Sequence, residues 1–153
     1  MSCKRFESQE DLLRERAIML TICKDAVKLG ENDLDGLIPN IAFVEIKTAR
    51  CNHNKPVHYL VSVQKYHKMQ DADKLLPAFL FIQWADKLTY ISYKDLEKSV
   101  IASTSFIAIN GRAEREGSVN DREQMIHVPP SLFKVFVDSA SFLKEIELTI
   151  SCS

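Results

Sequence analysis

Asp35-Gly36-Leu37-Ile38-Pro39-Asn40-Ile41-Ala42-Phe43-Val44-Glu45-Ile46-Lys47 is the stretch on which the reading of this chain turns. It predicts two short strands joined by a tight turn at Pro39-Asn40. The second strand, Ile41 to Lys47, is apolar apart from Glu45 and Lys47. Side chains alternate across a strand, so Glu45 and Lys47 leave one face together with Phe43. If the strands pair antiparallel, Asp35 falls opposite Val44 or Glu45, depending on a one-residue choice of loop length. With a three-residue loop, Asp35 and Glu45 become cross-strand neighbours about 5 Å apart at Cβ.

Two carboxylates and an ammonium then converge at the end of a buried hairpin. Burying such charges is costly unless a metal ion neutralises the carboxylates. Asp33 competes with Asp35 for this place, since both are expected to point to the same side. Asp35 is preferred because Gly36-Leu37-Ile38 follows it directly, as for an acid entering a buried strand.

The surroundings fit a repeating order of elements. Ser8 to Asp11 reads as an N-cap with an acidic first turn. Leu13, Ala17, Leu20, Cys23 or Lys24, and Val27 follow at helical spacing, predicting a helix from about Gln9 to Leu29 that stops at Gly30. After Lys47, a polar loop through Pro56 holds Arg50 and Lys55. A short apolar stretch, Val57 to Val61, leads to Ser62 as N-cap of a helix from about Val63 to Lys74. Lys65 and Lys68 share a face of that helix. Pro77 to Trp84 is almost continuously apolar, as a strand buried on both faces should be. Lys87 to Tyr93 alternates like a half-exposed strand. Further on, Ser105 to Asn110 reads as a strand, residues 111–123 as a charged loop or a mobile hairpin, and Leu132 to Val137 as a short helix.

An Asp, a gap, and Glu-x-Lys on an apolar strand, set in this order of elements, resembles the PD-(D/E)xK nuclease superfamily over about Gln9 to Tyr93. The resemblance implies an α/β, restriction-endonuclease-like core (helix, three strands, helix, strand), with a central mixed sheet flanked by helices. The proline that precedes the family's Asp is replaced here by Leu34. The family's Gln-x-x-x-Tyr spacing is also absent, since Tyr66 follows Gln64 by only two residues. Asn110-Gly111-Arg112-Ala113-Glu114-Arg115, followed by Asp121-Arg122-Glu123, is similar to the downstream part of small phage-encoded proteins of the same type.

What the resemblance implies for chemistry is concrete. Asp35, Glu45 and the carbonyl of Ile46 would hold Mg²⁺ or Mn²⁺, and Lys47 would assist the attacking water during phosphodiester hydrolysis. Glu15 on the first helix is an extra metal candidate, with a solvent-facing side chain as the plainer reading. Gln64 is the candidate beside the active site, a solvated helix face being equally open to it. Arg50, Lys55, Lys65, Lys68, Arg112 and Arg115 are the candidates for DNA phosphates. The expected function is a metal-dependent DNA endonuclease acting as a homodimer, with Phe133, Phe136 and Phe142 as apolar surface for pairing. The alternatives are a Holliday junction resolvase of the same superfamily, or a catalytically silent DNA-binding or assembly protein keeping the fold.

Composition bounds these expectations. At 153 residues the chain reads as a single domain, with a core at about 9–93 and a C-terminal extension at about 94–153. Apolar residues make up 46% and charged ones 27%, ordinary for a globular protein. The net charge of −1 supplies no global pull toward nucleic acid, so binding must rest on a local basic surface. Cys3, Cys23, Cys51 and Cys152 show no C-x-x-C spacing, and histidines 53, 58, 67 and 127 form no metal or nuclease motif. With only four glycines, no phosphate-cradling loop exists. No signal peptide and no membrane-spanning run is read, and the expected location is intracellular, in a bacterial or phage-infected host cell.

Overall fold

The turn at Pro39-Asn40 fixes the register of the strands beside it. Proline presets φ at the first turn position, and Asn40 takes a positive φ of 66°, a conformation asparagine tolerates better than most residues. The Ile41 N–H closes the turn on the Ile38 carbonyl at 2.9 Å. Three residues therefore separate the paired positions Ile38 and Ala42.

The computed structural model describes residues 9–30, 33–102, 107–109 and 124–151. Helix α1 (Gln9–Ile22) leads into β1 (Val27–Lys28), β2 (Gly36–Ile38) and β3 (Ala42–Thr48). Then come β4 (Tyr59–Ser62), α2 (Val63–Asp73), β5 (Ala78–Gln83), β6 (Leu88–Ser92) and α3 (Tyr93–Ala102). The chain continues through β7 (Ile107–Ile109), β8 (Gln124–Val128), a 3-10 turn at Pro130–Leu132, β9 (Lys134–Val135) and α4 (Ser139–Ser151). Six strands form a mixed sheet in the order β1-β2-β3-β5-β6-β9, parallel only between β3 and β5. A second sheet has the order β4-β8-β7.

Alternation along β5 shows why its sequence is apolar throughout. Phe79 and Phe81 pack with Ile18, Met19 and Ile22 of α1 and with Phe142 and Ile146 of α4. Ala78, Leu80 and Ile82 pack on the other face with Tyr66 and Met69 of α2, Leu96 of α3, and Val61, Ile126 and Val128 of the second sheet. Both faces are thus covered, giving the expected mixed sheet flanked by helices.

Several expected elements end differently. The first helix stops at Ile22 rather than continuing to Leu29. Val27 and Lys28 are captured instead as an edge strand, paired with Leu37 and Gly36. The helix also turns another face inward: Ile18, Met19 and Ile22 are buried, while Leu13, Ala17 and Leu20 are exposed. Gly36 accounts for this, since a Cβ there would stand 2.7 Å from Met19 Sδ and 3.2 Å from the Val27 carbonyl. The missing side chain lets Met19 lie against the strand.

The short helix expected at Leu132 to Val137 is a 3-10 turn followed by β9, which pairs with β6 through Thr89↔Val135 and Tyr90↔Lys134. Phe133 and Phe142 are buried and Phe136 packs against the core, so these rings build the interior rather than a pairing surface. Among the described residues no helix is long and apolar enough to cross a membrane.

Candidate active site

Where β2 begins, carboxylates take over the ladder. Gly36 pairs with Val44, so one step outward Asp35 stands across from Glu45. Asp35 Oδ2 accepts the Ile46 N–H at 2.8 Å, and Glu45 Oε1 accepts the Asp35 N–H at 3.2 Å. Glu45 thereby holds the Asp35 backbone, and Asp35 holds the backbone of Ile46, the residue after Glu45. Asp35 is half-buried, and Glu45 is 1% exposed. Asp33, by contrast, is exposed and faces a different cavity.

Lysines complete the cluster. Lys65 Nζ lies 2.9 Å from Glu45 Oε2, and Lys47 Nζ lies 3.7 Å from the same oxygen. Burial pushes the Glu45 carboxyl above its ordinary value, and the Asp35 charge pushes it further, while Lys65 and Lys47 pull it back. The net direction is upward, so two lysines do not fully compensate a buried acid beside another acid. The hydroxyl of Tyr59 is pushed up to about 12 by burial and by the Glu45 charge, so it stays neutral near this site.

These groups line a cavity of about 430 Å³ bounded by Asp11, Arg14 and Glu15 of α1, Asp35, Glu45 to Thr48 of β3, and Lys65 of α2. Glu15 sits one helical turn before Met19 and accepts Lys28 Nζ at 2.9 Å. Met19 packs at Gly36, and the turns of α1 before it supply Asp11, Arg14 and Glu15 to the cavity wall.

The placement separates the expected residues. Asp35, Glu45, Ile46, Lys47 and Glu15 share one cavity, and Lys65 joins them. Lys65, expected on DNA phosphate, is instead held by Glu45. Gln64 is exposed and is not among the residues lining the cavity. Arg50 and Lys55 are exposed in the loop after β3, and Lys68 lines the cavity that Asp33 faces. Arg112 and Arg115 lie outside the described residues. Asp11, Arg14 and Thr48 were not anticipated as lining residues; the acidic first turn of α1 was the available signal for Asp11.

Among the described residues, no group of three or more His, Cys, Asp or Glu stands ready to hold a metal ion. The donors present are nonetheless of the hard-oxygen type. Magnesium keeps several waters and substrate oxygens and asks few carboxylates of the protein. The Asp35–Glu45 pair, with the Glu45 carboxyl raised by burial and then by the Asp35 charge, fits such an ion.

A family model described as "Phage putative PDDEXK endonuclease" matches residues 38–136. The chain belongs to this PDDEXK family. The matched span includes Glu45, Lys47 and Lys65, while Asp35 and Glu15 precede it. The PDDEXK chain is also similar in structure to Hjc of Archaeoglobus fulgidus, described as a Holliday junction resolvase. The TM-score is 0.53 at 9% identity, covering 89% of this chain and 97% of that one. At that identity the likeness speaks for the restriction-endonuclease-like fold of the PDDEXK chain. None of the curated proteins matches its sequence.

Proposed function

We propose that this chain is a divalent-metal-dependent endonuclease that hydrolyses phosphodiester bonds in DNA. The observation that carries the reading is the interlocked Asp35–Glu45 pair, with Glu45 1% exposed and its carboxyl held above the ordinary range. Asp35, Glu45 and the Ile46 carbonyl would hold Mg²⁺ or Mn²⁺, with Glu15 facing the same cavity. When bound, the ion supplies Lewis-acid polarisation of the phosphate.

The chain's own residues divide the remaining work. Lys47, 47% exposed, reaches solvent and is placed to orient the attacking water or to offset charge building on phosphorus. Lys65, 23% exposed, offsets part of the upward push on the Glu45 carboxyl. Arg50 and Lys55 are exposed beyond the end of β3, available to backbone phosphates, and binding should weaken as salt rises. Pairing into a homodimer would give two such sites for the two strands of a duplex or branched junction.

A second reading is a catalytically silent assembly protein. The observation favouring it is that Lys65 and Lys47 both already stand on Glu45 Oε2. Nicking of supercoiled DNA with Mg²⁺ or Mn²⁺ separates the two. Cleavage by the wild type, lost in Glu45→Ala and Lys47→Ala with folding intact, supports the nuclease. A wild type inert on duplex, branched and single-stranded DNA supports the silent protein.

A further inference from the structure

A second cavity, of about 280 Å³, lies beside the first and has different chemistry. Leu34, Phe43 and Leu75 give it apolar walls, and Asp33, Asp71 and Lys68 supply its polar groups. Its walls are direct continuations of the walls of the candidate active site. Leu34 adjoins Asp35 in the loop before β2. Phe43 leaves β3 on the same face as Glu45, two residues and therefore about 7 Å away. Lys68 is one turn of α2 beyond Lys65.

Leu75 is 76% exposed, and Phe43 is only half-buried. An apolar hollow with a few polar groups is the usual design of a small-ligand pocket, and this volume falls just below the usual lower bound of about 300 Å³, a size for one ring rather than a larger ligand. Aromatic and apolar walls suit the face of a nucleobase. Carboxylates accept hydrogen bonds from an exocyclic amino group, as Asp and Glu do from cytosine. With two carboxylates against the single Lys68 ammonium the hollow is net negative, which favours a base over the backbone phosphate.

A base stacked and paired in a duplex cannot enter a recess next to its own phosphodiester; it must leave the stack. We infer that this hollow receives one unstacked, amino-bearing nucleobase of the DNA strand being cut, next to the scissile phosphate. The chain is then selective for DNA with an unpaired nucleotide at the cut. This inference rests on the nuclease reading above and names its substrate class.

The test compares cleavage by the full chain, with Mg²⁺, of a perfect duplex and of duplexes carrying a single unpaired cytosine, thymine or abasic site. Binding is followed in parallel by anisotropy, with Ca²⁺ in place of Mg²⁺. The unpaired cytosine should be cut and bound roughly tenfold better than the perfect duplex, as one base–aromatic stack implies. Thymine and the abasic site should gain less. Phe43→Ala and Leu75→Ser should erase the preference without changing the duplex rate, and Asp71→Asn should remove the advantage of cytosine over thymine. Leu75 and Asp71 are exposed, so their variants test the hollow even if Phe43→Ala misfolds. Equal cutting of all substrates overturns the base pocket and leaves the nuclease standing. No cutting at all overturns the nuclease, and the anisotropy then decides the pocket: preference for unpaired cytosine upholds it, indifference overturns it.

Discussion

Two glutamates in this molecule hold a lysine at nearly the same distance and respond oppositely. Glu45 meets Lys65 at 2.9 Å and Glu145 meets Lys134 at 2.8 Å. Glu45 is 1% exposed with Asp35 beside it, and burial and that neighbour drive its carboxyl up. Glu145 is 38% exposed. Burial pushes it up as well, but hydrogen bonds from Lys134 and the Tyr90 hydroxyl, with the Lys134 charge, outweigh that and leave it lowered. Separation from a cation does not decide the state of an acid; solvent access and the nearest like charge do. One glutamate fastens α4 to the sheet edge, while the other is kept where a further cation would be welcome.

Substitution should split the pair most sharply. Glu45→Gln should lower Mg²⁺-dependent cleavage by at least about a hundredfold, the scale of losing a preorganised electrostatic contact, while Glu145→Gln should cut at the wild-type rate. Equal losses would place the chemistry elsewhere. Removing the cations should give a smaller contrast. Lys65→Ala should cost about 10- to 100-fold in activity or Mg²⁺ affinity, as outer contacts to metal ligands do. Lys134→Ala should change only stability, by about 0.2–1 kcal/mol, because its bridge is exposed. Isothermal titration with Mg²⁺ and chemical denaturation measure the two.

The smallest effect is in the pH dependence of stability without metal. From 4.5 up to the raised folded value, native Glu45 binds more protons than the unfolded chain, so its contribution falls as pH rises. Glu145 has the opposite sign: its contribution is present above 4.5 and lost as pH falls through the lowered folded value. Glu45→Gln should remove the first slope and Glu145→Gln the second in denaturation at stepped pH. Saturating Mg²⁺ should reverse the Glu45 slope, since the ion favours the ionised carboxyl.

The hairpin was legible because its signals are local: Pro39-Asn40, the apolar run and the residue count between Asp35 and Glu45. The choice of Lys65 over Gln64 depended on the phase of α2. Tyr66 and Met69 are its buried positions; Lys65 lies four residues from Met69 and so on that side, while Gln64 lies two from Tyr66 and so on the opposite one. Helix α4 was not read from the sequence, although its start carries a local signal: Asp138 Oδ1 accepts the Ser141 N–H at 2.7 Å ahead of Phe142 and Ile146 at helical spacing. The inward face of α1 was not local information. It is set by contact with Gly36, and the leucines at 13 and 20 gave a misleading stripe. Strand β9 likewise exists only because β6 offers it an edge.

The distant closure of the sheets bears on synthesis. Val61 pairs with Ile126, and Phe142 packs on Phe79 and Phe81 with ring centroids 5.0 and 5.2 Å apart. Nascent chains fold as they emerge, but contacts between remote residues must wait for both partners. A ribosome that has already released Asp35, Glu45 and Lys47 still holds the ring that seals the opposite face of the sheet. The carboxylate pair and its lysine are thus translated early, and the sheet that carries them is closed late.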